Sequence, residues 1–168
     1  MGYEHHWAVP AVVDRERWVL FTADVRRLYE SLPERIAEHD ACYPGEILDI
    51  ANSSGEPGVD ITDDQICFNG YSRPHELFVL NRVHGGTLNK FGEGGGWCKT
   101  ARKPYDLFVC ATLLALVHHF PEACVASCGS ASEWRCAVEL FEKVVGPVPL
   151  QGPWHRLERD EDCLSTKD

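Results

Sequence analysis

Between Pro104 and Pro121 the chain carries Leu107-Phe108-Val109-Cys110-Ala111-Thr112-Leu113-Leu114-Ala115-Leu116-Val117, apolar everywhere except Thr112. A helix that is apolar around its whole circumference has no face to offer water, so other elements must wrap it. The run falls short of the roughly 18–20 residues needed to cross a bilayer, which excludes a membrane span on this reading. Pro104 suits the first turn of this helix, and Asp106 adds the acidic residue that its positive end favours. The helix is expected to end at His118 or His119, in the middle of one hydrophobic core. A chain of 168 residues is long enough to build such a core.

The elements around it follow from local pattern and punctuation. Residues 1–17 show no regular element. Arg17-Trp18-Val19-Leu20-Phe21 is read as a short strand, with Thr22-Ala23-Asp24 capping a following helix. Val25, Leu28, Tyr29, Leu32 and Ile36 recur at helical spacing, but Pro33 interrupts them. Because Ser31-Leu32-Pro33-Glu34 also has a capping pattern, two short helices or one kinked helix are expected. Asp40 to Asp64 is rich in turn residues and reads as long loops. Residues 65–69 and 76–82 form two antiparallel strands, and 97–101 another. Cys124 to Ser127 is a buried strand. It leads into a helix capped by Ser130 and Glu133 and ended by Gly146-Pro147, with Trp134, Ala137, Val138, Phe141, Val144 and Val145 on its buried face. The order of elements predicts a single-domain α+β fold over residues 1–155, with a mixed α/β arrangement left open. Its sheet is at least partly antiparallel and covered by helices. Residues 156–168 read as a disordered charged tail.

The net charge of −10 is unevenly spread. Residues 1–64 carry a net −9, whereas residues 65–110 carry +3. The overall sign excludes general duplex-DNA binding, which needs a broad basic face. The basic island contains Lys99, Arg102 and Lys103 immediately before a helix N-terminus, where backbone N–H groups favour an anion. With Asn69 on the neighbouring hairpin, these residues are the expected ligand-binding set. The same cations could instead pair with the acidic excess of the chain. His75 and Glu76, beside the hairpin turn, and Asp106 are candidate acid–base groups.

Other constellations are weaker. Residues 85–96 hold six of the 14 glycines and read as a mobile loop or lid. Gly92 to Thr100 misses the phosphate-loop register, because Cys98 and Glu93 occupy the two positions that need glycine. Cys128-Gly129-Ser130 lacks the pattern of a nucleophile elbow, and Ser130 is better used as a helix cap. Eight cysteines with no secretion signal read as reduced thiols. His118, His119, Cys124, Cys128 and Cys136 fit zinc spacing only loosely, so no metal is expected and no cofactor is implied.

The run Trp97-Cys98-Lys99-Thr100-Ala101-Arg102-Lys103-Pro104-Tyr105-Asp106, with Phe68-Asn69-Gly70 and Glu76-Leu77-Phe78 before it, resembles small uncharacterised accessory proteins of bacteriophages and prophages. The resemblance spans about residues 65–146. It implies a setting rather than an activity: an accessory protein of a mobile element, in a bacterial cytoplasm, acting on a host component. The expected function is therefore binding, of a host protein or a small anionic ligand, through the strip at residues 99–103. One alternative is a phosphate- or nucleotide-processing enzyme with the glycine-rich segment 85–96 as its lid. Another is an acidic surface that binds a basic protein.

Overall fold

The computed structural model describes residues 2–84 and 92–148. Tyr3, His5, Trp7 and Val9 alternate with more exposed neighbours along β1 (Glu4–Pro10), giving the period of two of a strand with one buried face. β1 is the centre of an antiparallel sheet of order β6-β1-β7, with β6 at Glu93–Lys99 and β7 at Cys124–Ser127. A regular strand thus replaces the irregular N-terminus expected from sequence. The alternation is hidden because one of its inward residues is a histidine, which a hydropathy pattern scores as polar.

The strand expected at residues 17–21 is instead the first part of helix α1 (Arg15–Glu30). Asp14 caps it, accepting a hydrogen bond of 2.9 Å from the Arg17 N–H. Trp18, Phe21, Val25 and Leu28 form its buried stripe, which continues without a break through the presumed cap at residues 22–24. The helix stops at Ser31, ahead of Pro33, and no second helix follows. Ile36 is held in an extended segment, its N–H donating to the Glu46 carbonyl at 2.8 Å.

The antiparallel hairpin is formed by β4 (Gln65–Gly70) and β5 (Phe78–Asn81). Two short strands, β2 (Ile50–Ala51) and β3 (Asp60–Ile61), also pair with β4. The apolar run forms α2 (Asp106–His119), buried at every residue from Asp106 to Leu116. It packs between α1 and α3 (Ala131–Val144). The expected capping at α3 is present, with the Ser130 N–H donating to the Glu133 carboxylate at 2.8 Å. The fold is α+β, as the order of elements implied. No described helix is long and apolar enough to cross a membrane.

Within the glycine-rich segment, Gly94, Gly95 and Gly96 are paired in β6 rather than looped. Gly96 lies under the Trp7 indole, and a Cβ there would come within 2.5 Å of Trp7 Cζ2. The absence of a side chain is what lets the tryptophan lie across the strand. The remainder of the expected lid, residues 85–91, and the charged tail at 156–168 lie outside the described residues.

Candidate functional site at the start of the central helix

The strand β6 ends at Lys99 and the chain reaches α2 through one tight turn. The Lys103 N–H donates to the Thr100 carbonyl at 3.0 Å, closing a turn whose central residues are Ala101 (φ 49°) and Arg102 (φ 56°). Both lie in the left-handed region, which costs a residue with a Cβ about 1–2 kcal/mol. The turn is pinned from outside, with the Ala101 N–H donating to the Tyr3 carbonyl at 3.2 Å.

A buried polar group anchors it from below. Asp106 Oδ1 accepts from His5 Nε2 at 2.7 Å and from the Thr100 hydroxyl at 2.6 Å. The Cys110 Sγ, one turn further along α2, lies 3.6 Å from Asp106 Oδ2 and 3.7 Å from His5 Nε2. His5 is fully buried and Asp106 is 9% exposed. The His5 Nδ1 and the Tyr3 hydroxyl have no hydrogen-bond partner, although both are buried. The Tyr3 and Trp134 rings both meet the His5 ring nearly at right angles.

A small cleft reaches Asp106 from the surface between residues 36–43, the turn and α3, with Asp40, Arg102, Lys103 and Glu133 among its lining residues. Its cavity volume of about 20 Å³ is room for about one water molecule. Arg102 donates through Nε to Glu133 at 2.7 Å, and its guanidinium lies 4.3 Å from the centre of the Tyr3 ring. The partner is a carboxylate on α3 and not the acidic N-terminal region weighed from sequence.

Lys103 lines the cleft, whereas the Lys99 side chain lies outside it, across Gly2. Asn69 accepts from the backbone N–H groups of Gly70 and His75 and donates to the His75 carbonyl, so it clamps the hairpin connection. His75 Nδ1 donates to the Lys99 carbonyl at 2.6 Å, and a Glu76 carboxylate oxygen accepts from the Lys99 N–H at 2.9 Å. These two side chains join the hairpin to β6. The structure brings Arg102, Lys103 and Asp106 to one cleft, and it leaves Asn69, His75, Glu76 and Lys99 outside it.

Nucleophilic chemistry at the cleft thiols is disfavoured. Burial is the largest influence on both Cys42 and Cys136, and it pushes them up to about 11 and about 12 respectively. The Cys110 thiol is raised too, first by burial and then by the Asp106 charge. These thiols are protonated at neutral pH and do not serve as ready nucleophiles. Cys67, Cys98, Cys110 and Cys136 are buried free thiols. Cys163 lies outside the described residues.

The histidine–cysteine set considered for zinc is not assembled. His119 pairs with Asp24 at 2.8 Å, while Cys136 belongs to another group. Among the described residues two groups place three ligating atoms within 4.8 Å of one another: His5, Asp106 and Cys110, and His39, Cys136 and Glu139. Sequence reading missed His5 altogether. Its only local signal was its inward register between Tyr3 and Trp7.

The Glu133 carboxyl is held below its usual range. Burial, the largest single influence, works to raise it, but hydrogen bonds from Ser130 and Arg102 outweigh that. A carboxyl depressed in the folded state contributes stability above its unfolded pKa and loses it as pH falls through the folded value. Glu133→Gln is therefore expected to flatten the acid limb of a melting-temperature profile below about pH 4.5, the usual glutamate range. A profile of unchanged shape would contradict this.

A scan against protein-family models finds no match to this chain, and searches of curated proteins and of solved structures find none either.

Proposed function

We propose that the protein is a binding protein that recognises the acidic surface of a partner through Trp97, Lys99, Arg102 and Lys103. The observation that carries this reading is the turn at Ala101 and Arg102, which keeps a left-handed backbone at two successive residues that are not glycine. Strain of this kind persists where surrounding contacts enforce it, and it concentrates at functional positions. Here it sets Arg102 and Lys103 at the molecular surface, over a base fixed by His5 and Asp106.

Neighbouring residues extend the strip. The Lys99 stem passes over Gly2 and the Arg102 guanidinium over Tyr3, so the two cations rest on consecutive residues. Trp97 is 54% exposed, on the same face of β6 as Lys99, and stacks with His6 of β1. Tryptophan and arginine are the residue types enriched at interface hot spots. A macromolecular partner suits this site better than a small anion. The cleft has room for about one water, and Asp40, Asp106 and Glu133 outnumber its two cations. The phage and prophage resemblance gives the setting of this proposal, a host component in a bacterial cytoplasm.

The test is capture from host lysate on the immobilised full chain. Wild type is expected to retain an acidic protein at low salt and release it at high salt, since exposed charge pairs are screened. Lys99→Glu with Lys103→Glu, and separately Trp97→Ala, are expected to abolish capture while leaving the thermal melt unchanged. Equal capture by all three chains would defeat the proposal. Ala101→Gly separates strain from contact. Relief of about 1–2 kcal/mol, less about 0.5–1 kcal/mol for ordering glycine, gives a chain as stable as wild type or up to about 1.5 kcal/mol more stable. A clear loss of stability on denaturant unfolding would show that the turn is unstrained.

A further inference from the structure

We propose that His5, Asp106 and Cys110 form a buried site for a divalent transition metal of the zinc class. The three come from β1 and from successive turns of α2, and each presents one ligating atom within 4.8 Å of the other two. Zinc–sulfur and zinc–nitrogen bonds of about 2.3 and 2.0–2.1 Å at a tetrahedral angle place the two ligand atoms about 3.5 Å apart. The Cys110 Sγ lies 3.7 Å from His5 Nε2 and 3.6 Å from Asp106 Oδ2, so the cysteine stands at ligand distance without moving a helix. The other carboxylate oxygen, Asp106 Oδ1, lies 2.7 Å from His5 Nε2, and for these two to bind one ion they need to part by about half an ångström, to the roughly 3.3 Å of two light ligands.

The Tyr3 ring packs edge-on against the His5 ring with 5.1 Å between centroids, and its buried hydroxyl has no hydrogen-bond partner. A divalent ion with one thiolate and one carboxylate brings the group to zero. On binding, the Cys110 thiol loses its proton to solvent, since a coordinating thiol is deprotonated outright. The His5 proton shifts from Nε2 to Nδ1, leaving the Nε2 lone pair for the metal. The cleft lined by Asp106 provides the route in from the surface.

The test is titration of the chelator-treated full chain with Co²⁺, read by its sulfur-to-cobalt charge-transfer absorption, with Zn²⁺ as competitor. One equivalent is expected to bind with a charge-transfer band that Zn²⁺ abolishes, and Zn²⁺ is expected to raise the melting temperature. Cys110→Ala leaves a small apolar residue in a buried position and is expected to fold. It should lose the band and weaken Co²⁺ binding more than about tenfold, the lower bound for outer-shell changes. Cys136→Ala is expected to retain both. Absence of stoichiometric binding by wild type would overturn the proposal. So would a band that survives Cys110→Ala, or one lost in Cys136→Ala, which would place the metal at His39, Cys136 and Glu139.

Discussion

Asp106→Ala is expected to destabilise the metal-free protein by about 3–5 kcal/mol, the range for removing one member of a buried charged or hydrogen-bonded pair. The substitution leaves the buried His5 Nε2 and Thr100 hydroxyl without their shared acceptor. It also frees the strained turn, because Thr100 begins the segment that holds Ala101 and Arg102 in the left-handed region. Asp106→Asn keeps the shape and one acceptor oxygen, so it isolates the contribution of charge. Its cost is expected to be about 1–2 kcal/mol, comparable to weakening one or two hydrogen bonds. Denaturant unfolding of both variants, in chelator, measures the difference. Equal losses would mean that the carboxylate charge carries the whole effect, whereas no loss in Asp106→Asn would mean that Asp106 acts only as a shape-matched acceptor.

Phe108→Ala is expected to cost about 3–5 kcal/mol, the usual figure for truncating a buried aromatic residue. Phe108 has no exposed surface, and its ring lies 4.4 Å from that of Phe68 and 5.8 Å from that of Tyr29. It therefore ties the hairpin sheet and α1 to the same turn of α2. Phe68 in turn stacks on Phe78, whose ring lies 4.9 Å from that of Trp7. The aromatic chain crosses the junction between the two sheets, so the cavity left by truncation has rigid walls and cannot easily collapse. Phe108→Leu, which refills most of the volume, is expected to recover more than half of the loss. A cost below about 1 kcal/mol for Phe108→Ala would mean that the surrounding rings close over the gap.

The site combines a fixed base with an exposed rim. His5, Thr100 and Asp106 are buried and hold the turn, while Arg102, Lys103 and Lys99 lie around it nearer the surface. Asn69, His75 and Glu76 were legible as polar residues near the basic strip, but their use is mechanical. They close the hairpin connection and fasten it to the backbone of Lys99. Nothing in a polar side chain beside a turn distinguishes a clamp from a ligand contact until its hydrogen-bond partners are known.

The sequence alone determined that α2 lies at the centre, because a helix without a polar face has only one stable place. It also determined β7, α3 with its Ser130–Glu133 cap, the hairpin, and the concentration of positive charge before α2. Those features are local, set by side-chain period, capping chemistry and residue count. Tertiary structure decided the rest. It turned residues 17–21 into helix, since Trp18 and Phe21 continue the stripe of Val25 and Leu28 only when α1 packs on the core. It made a strand of residues 4–10, because an inward histidine becomes tolerable only when an acceptor arrives from 101 positions away. The same distance explains why the His5–Asp106–Cys110 group was invisible in sequence: burial of a polar group is decided by its partner, and the fold supplies that partner.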